Sequence, residues 1–279
     1  MKCAWKEFLA VLPPRMREET DKLGRENLEE LHLRLNQKVE LIIRGCSHFS
    51  QLVATGQDIQ YVINTASRYS PWSASTVAEG YITAPGGHRI GLCGDCVIQG
   101  GEVTGVRTVT SLCIRVARSF PGIAAHAPGT GSLLILGPPG VGKTTLLREL
   151  IRTRSEAGTT VSVVDERGEL FPNGNIFEPG SRTDILTGCS KAQGIQMALR
   201  TMSPKCIAVD EITAAEDCLA LLSAGWCGVE LLATAHAANS ADLLSRGVYR
   251  PLAQSRLFEK IIVLGRDKSW HMERMELCT

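Results

Sequence analysis

The sequence predicts an α/β protein in two parts, a smaller α+β N-terminal domain over 1–120 and a domain with a mostly parallel sheet over 121–279. Three observations carry this. From Ser132 onward five short apolar runs, "SLLILG", "TVSVVDE", "KCIAVDE", "ELLATAH" and "KIIVLGR", alternate with helix-like segments. Continuous apolar character suits strands covered on both faces, hence parallel strands with helices packed on either side. The N-terminal half instead mixes apolar and polar residues in alternation, as half-exposed strands do. Between the halves, Pro121-Gly122 and Pro128-Gly129 punctuate the chain, and composition changes after Thr130.

Taken in order, the start "MKCAWKEFLAVLPPRMREE" carries charges every few residues and lacks the apolar core of a signal peptide. Leu31–Gly45 alternates on both sides of Asn36-Gln37 and predicts a hairpin. Asp58–Ser70 has helical spacing, with Asp58 as its N-cap. Glu79–Val103 reads as short strands split by Gly-Gly turns, a small meander, and Ser111–Ser119 as one more strand or a connector.

Composition sets further bounds. The 279 residues are 44% hydrophobic and 21% charged, which is globular and not disordered. Lys plus Arg is 30 against 29 for Asp plus Glu, so no net basic field draws the whole chain onto nucleic acid, and no nucleic-acid partner is expected. The apolar runs are far shorter than the roughly 20 residues a membrane helix needs, so a soluble, cytoplasmic protein is expected. Ten cysteines are present. Cys93-Gly-Asp-Cys96 is the one C-x-x-C pair, and without a second pair or two suitably spaced histidines it makes no zinc site. Reduced, mostly buried thiols are the expectation.

The chemistry lies in the second part. "GPPGVGKT" fits G-x-x-x-x-G-K-[ST], after an apolar strand and before the amphipathic run "TLLRELIRTR". In such a loop the backbone N–H groups of Gly137, Pro138, Pro139, Gly140, Val141, Gly142, Lys143, Thr144 and Thr145 (prolines excepted) curve around phosphate oxygens at a helix N-terminus. Lys143 reaches the β and γ phosphates, and the Thr144 hydroxyl binds Mg²⁺. ATP and Mg²⁺ are the cofactors this predicts. "KCIAVDEI" ends an apolar strand on Asp210-Glu211, 67 residues (210 − 143) after Lys143. Asp210 is expected to hold the Mg²⁺ hydration shell, and Glu211 to polarise the attacking water as general base. A third acidic group, Asp165, Glu166 and Glu169 in "VSVVDERGEL", either contacts water across the phosphates or forms a solvated turn paired with Arg167 and Arg148. In "LLATAHAANS", His236 stands two residues beyond Thr234, where a lone histidine beside an apolar run is ordinarily structural.

Together "GPPGVGKTTLL", "VVDERGEL" and "MALRTMSPKCIAVDEITAAEDCLALLSAGWCGVELLATAHAAN" resemble the type II/IV secretion ATPase family. That family carries a P-loop on a RecA-like domain, an acidic box of the form E-D-x-x-E-L, a Walker B strand and a histidine box of the form T-x-H-A-N. The resemblance places Glu166 in the acidic box, with the first two acids reversed, Glu211 on the Walker B glutamate, and Thr234 and His236 in the histidine box. Two departures stand out. Asp210 replaces the family's usual glycine, and an extra alanine displaces Asn239. The resemblance covers roughly Leu31 to Arg266, and it is strongest to a branch from endospore-forming bacteria. It implies a ring-forming, hexameric ATPase in the mother-cell cytoplasm, peripheral to the membrane, whose partners are other copies of itself and a channel between mother cell and forespore. It also implies that His236 senses the γ phosphate, with Thr234 beside it at the sheet end. Arginines of the N-terminal domain or a neighbouring subunit would act on that phosphate, with Arg89, Arg115 and Arg118 matching and Arg182 and Arg200 as weaker candidates. Two competing readings use the same residues: a nucleic-acid motor, and a scaffold that binds ATP without turnover.

Overall fold

The computed structural model describes residues 1–67, 80–172, 176–258 and 260–274. The chain divides into two compact units, one of Met1–Ser119 with Pro172–Ile176, the other of Phe120–Phe171 with Phe177–Thr279.

The first unit runs α1 (Trp5–Val11), α2 (Pro14–Leu23), β1 (Leu28–Arg34), β2 (Lys38–Ile43), β3 (Cys46–Val53), α3 (Gly56–Ser67), β4 (Tyr81–Ala84), β5 (His88–Gln99) and β6 (Glu102–Arg115). Its six strands form an antiparallel sheet in the order β3-β2-β1-β6-β5-β4. Leu31, Leu33, Leu41, Ile90, Leu112 and Ile114 point to one face and bury Phe8, Leu12, Met16, Ile59 and Val62 of the helices. The opposite face keeps the polar alternates, as the strand period of two requires.

The predicted hairpin is present as β1–β2, turning at Asn36, which adopts φ +61° as asparagine readily does. The predicted cap is displaced. Thr55 precedes the helix and Asp58 is its third residue, with Thr55 N–H donating to Asp58 Oδ2 (2.7 Å) and Asp58 N–H to Thr55 Oγ1 (3.3 Å). This is a reciprocal capping box, and Thr55 is the true N-cap. Positions 68–70 of that expected helix lie outside the described residues. The predicted meander is present as β4–β5–β6, turning at Gly86-Gly87 and Gly100-Gly101, though β5 and β6 run longer than expected, at 12 and 14 residues. Ser111–Arg115 is the end of β6 and not a separate strand. The cysteines are also more exposed than expected. Cys206 and Cys218 are buried, whereas Cys46 at the start of β3, Cys93 and Cys96 within β5, and Cys227 just past the helix Ala215–Trp226 are exposed.

The second unit runs β7 (Leu133–Leu136), α4 (Lys143–Glu156), β8 (Val161–Asp165), β9 (Thr183–Thr187), α5 (Lys191–Thr201), β10 (Cys206–Val209), α6 (Ala215–Trp226), β11 (Glu230–Ala235), α7 (Ser240–Ser245), α8 (Arg250–Gln254), β12 (Lys260–Leu264) and β13 (Trp270–Glu273). The sheet order is β13-β12-β7-β11-β10-β8-β9. All neighbours are parallel except the β12–β13 hairpin. The five apolar runs are its five inner strands, and β7, β8 and β10 are buried at every position. The edge strands β9 and β13 are half exposed and polar, so periodicity gave no sign of them. Leu146, Leu147, Leu150 and Ile151 of α4 pack on the sheet, and parallel register brings the ends of β7, β8, β10 and β11 to one edge. Loops leaving that edge are where an open parallel sheet binds ligands.

Candidate functional site

Gly137, Glu166, Asp210 and His236 are each the first residue past a strand at this edge. Gly137 has room for nothing larger, because an added Cβ would lie 2.9 Å from both Leu264 O and Val141 Cγ2. Gly142 holds φ +107° as the residue before α4, and no side chain caps the helix there. The first amides of α4 therefore point out of the loop with the positive end of the helix dipole behind them, an arrangement that favours phosphate.

Lys143 begins α4 and is 7% exposed. Its ammonium lies 2.9 Å from Gly137 O, 2.9 Å from Pro138 O and 3.0 Å from His236 Nδ1. An ammonium only donates, so Nδ1 accepts and carries no hydrogen. The proton of His236 then sits on Nε2, which is 2.9 Å from Glu211 Oε1 and donates to it. Lys143, His236 and Glu211 thus form one chain across the strand ends. Burial lowers the Lys143 pKa, against the pull of Asp210 and Glu211.

A second chain runs beneath the first. Asp210 accepts from Thr144 Oγ1 on one oxygen (2.7 Å) and from Thr234 Oγ1 on the other (2.6 Å). The same Thr234 hydroxyl accepts from the Glu211 N–H (2.7 Å), and Thr234 O accepts from Ile212 N–H (2.8 Å). Glu211 has φ +52°, a left-handed conformation that costs a non-glycine residue about 1–2 kcal/mol. Thr234 is fully buried and holds that turn in place. The sequence reading put Thr234 beside a phosphate. The structure places it under the site, where it positions Asp210 and Glu211.

The acidic box separates into two roles. Asp165 is 3% exposed and accepts from the N–H groups of Glu169 (2.8 Å) and Phe171 (2.9 Å), so both its oxygens are engaged in closing its own turn. Burial raises its pKa despite those donors. Glu166 does face the site and pairs with Lys191 (2.5 Å), the first residue of α5. Both line a small open cleft with Asp165, Glu169, Asp210, Glu211 and Thr213. Lys191 is a site residue that sequence reasoning missed, since no spacing links it to Glu166. Arg148 lies beneath, donating to the carbonyls of Leu170 and Glu169 (2.5 and 3.0 Å) with its guanidinium 4.2 Å over the Phe177 ring. Burial pulls its pKa down to about 10.

The remaining candidates make other contacts. Asn239 caps α7 by accepting from Asp242 N–H (2.8 Å). Arg182 leads into β9 and donates to Gly158 O (3.2 Å), at the opposite edge of the sheet. Arg200 lies in the last turn of α5, about 14 Å along the helix from Lys191. Within the first unit, Arg89 stacks 4.0 Å over Tyr81, Arg115 pairs with Glu30 (3.3 Å), and Arg118 is half-buried, donating to Leu28 O.

The sequence profile described as "Sporulation stage III, protein AA" matches residues 5–272. The chain belongs to that family. Stage III sporulation protein AA of Bacillus subtilis (strain 168) is 35% identical over 94% of this chain and 91% of its own length. Protein SEEDLING PLASTID DEVELOPMENT 1 of Arabidopsis thaliana is 29% identical, over 82% of this chain but 33% of its own length. Among solved structures, the pilus retraction motor PilT with bound ADP superimposes with a TM-score of 0.61 at 18% identity, covering 95% of this chain and 83% of its own. The Legionella pneumophila ATPase DotB gives 0.57 at 18% identity, covering 93% and 78%. These likenesses show the fold, an α/β architecture of RecA-like P-loop type shared with secretion ATPases, as the second unit's strand order and P-loop lead one to expect.

Proposed function

We propose that this sporulation family member is an ATPase that hydrolyses MgATP to ADP and phosphate as a ring of identical subunits. The observation that supports this most is the pair of hydrogen-bond chains joining the phosphate-loop lysine to Glu211 through His236, and Thr144 to Glu211 through Asp210 and Thr234. Both end on Glu211, the first at its carboxylate and the second at its backbone N–H, so the group suited to deprotonate water is held from two sides.

In this reading phosphate enters the loop and Lys143 exchanges its two carbonyls and His236 for phosphate oxygens. The hard oxygens of Thr144 and Asp210 fit Mg²⁺, which would neutralise phosphate charge and orient the leaving group. Glu211 is the general base. His236 reports the change, because losing Lys143 at Nδ1 alters what its Nε2 holds at Glu211. Glu166 and Lys191 flank the same cleft, so a phosphate there competes with their ion pair. Arg89 and Arg115 would complete the charge on the γ phosphate from a neighbouring subunit. Among the described residues no helix is long and apolar enough to cross a membrane. Attachment to the membrane between mother cell and forespore would therefore run through channel proteins.

The Glu211→Gln variant tests this. It should bind ATP as the parent does and retain it unhydrolysed, with turnover lower by about 100-fold or more. Undiminished turnover would remove Glu211 from the role of base.

A further inference from the structure

The first unit carries a second cluster of ligating groups on the polar face of its sheet. Glu30 and His32 are alternate residues of β1 and share that face. His32 lies directly across from Cys113 of β6, and Glu30 across from Arg115. His32 Nε2 is 3.0 Å from Glu30 Oε2, Cys113 Sγ is 3.6 Å from the same oxygen, and Sγ is 3.8 Å from Nε2. A tetrahedral Zn²⁺ with bonds of about 2.3 Å to S, about 2.05 Å to N and about 2.0 Å to O would set these separations near 3.3, 3.5 and 3.6 Å. The three atoms already stand where one ion would hold them, each within about 0.3 Å.

We propose that Glu30, His32 and Cys113 bind one zinc-class divalent cation, with a fourth coordination position left open. The strands preset the site. β1 and β6 are the two central strands of the six-stranded sheet, and Leu31, Leu33, Leu112 and Ile114, buried on the other face, lock their register. Arg115 Nε stands 3.3 Å from Glu30 Oε1 and orients the carboxylate, leaving Oε2 to the ion, as a hydrogen-bonded outer partner does in metal sites. Zn²⁺ displaces the thiol proton of Cys113 to buffer as the Zn–S bond forms. The ring proton of His32 goes to Nδ1, so its Nε2 lone pair faces the metal. The side chains of His32 and Glu30 are 19% and 31% exposed, so the ion can enter from solvent and its fourth position can take water or a side chain of another molecule. Cys93 and Cys96 lie elsewhere on β5 and are no part of it.

The test uses the reduced, chelator-stripped full-length chain and Zn²⁺ alone, titrated against a chromophoric chelator, with far-UV circular dichroism on every variant. One tight ion per chain is expected, retained in Cys93→Ser/Cys96→Ser and weakened about 100-fold or more in Cys113→Ser and in His32→Gln. Zn²⁺ should also protect Cys113 of the unaltered chain from alkylation while Cys46 and Cys227 still react, a readout that does not depend on a variant folding. The proposal is overturned if tight binding survives Cys113→Ser with His32→Gln, if it is lost with Cys93 and Cys96, or if Cys113 alkylates at the same rate with and without Zn²⁺.

Discussion

Replacing Thr234 by valine removes one hydroxyl from a fully buried position and almost nothing else. That hydroxyl accepts from the Glu211 N–H at 2.7 Å and donates to Asp210 Oδ1 at 2.6 Å. A hydrogen bond to a charged group is worth about 1.5–3 kcal/mol, and an amide left without a partner costs about 1–3 kcal/mol. Some of this is recovered where water reaches the turn, so a net loss of about 2–4 kcal/mol follows, lowering the melting temperature by roughly 5–15 °C. Function should suffer separately. The left-handed turn at Glu211 is held by this contact, and relaxing it by about 2 kcal/mol in the transition state lowers kcat about 30-fold. Nucleotide affinity should change little, because the phosphate loop is untouched. Thr234→Ser keeps the hydroxyl and should restore most of the turnover. The assay pairs steady-state phosphate release with fluorescent-nucleotide binding and thermal unfolding on the same preparations. A valine variant that turns over as fast as the serine variant would refute the positioning argument.

Two further outcomes follow from the same geometry. His236→Ala should leave ATP bound within about threefold of the parent while removing the rise in turnover on assembly, measured by hydrolysis against protein concentration; an unchanged rise would return His236 to a structural role. Asp165 has a folded-state pKa raised above its ordinary 3.8, so the folded chain binds the extra proton and unfolding free energy falls as pH increases from 3.8 through the raised value. Urea unfolding across that range should show the decline in the parent and lose it in Asp165→Asn.

What the sequence disclosed depended on what each residue answers to. The inner strands were legible because burial on both faces demands unbroken apolar runs, and the phosphate loop because its glycines answer to backbone geometry. The edge strand Thr183–Thr187 was not, since half its side chains meet solvent and nothing in "TDILT" separates it from a loop. Glu166 was legible from its motif and lines the cleft, yet its partner Lys191 was invisible, because the ion pair joins residues 25 apart through the packing of α5. Thr234 was noticed through its motif, which gave no sign that its hydroxyl is fully buried and supports the left-handed turn at Glu211. The cap at Asp58 missed by three residues, since threonine and aspartate bond reciprocally and either can be read as the start. The proposed zinc-class cluster escaped for a different cause: Glu30, His32 and Cys113 meet only through strand register, with the histidine and the cysteine 81 positions apart.

The central claim is that the phosphate loop and Glu211 serve ATP turnover in an assembled ring, and phosphate release measured on the oligomeric fraction of the full-length chain tests it most directly. The account predicts MgATP-dependent release by the oligomer, slow release by the monomer, and none above background in Lys143→Ala. Equal release by the parent and Lys143→Ala oligomers, or none from either, would contradict it.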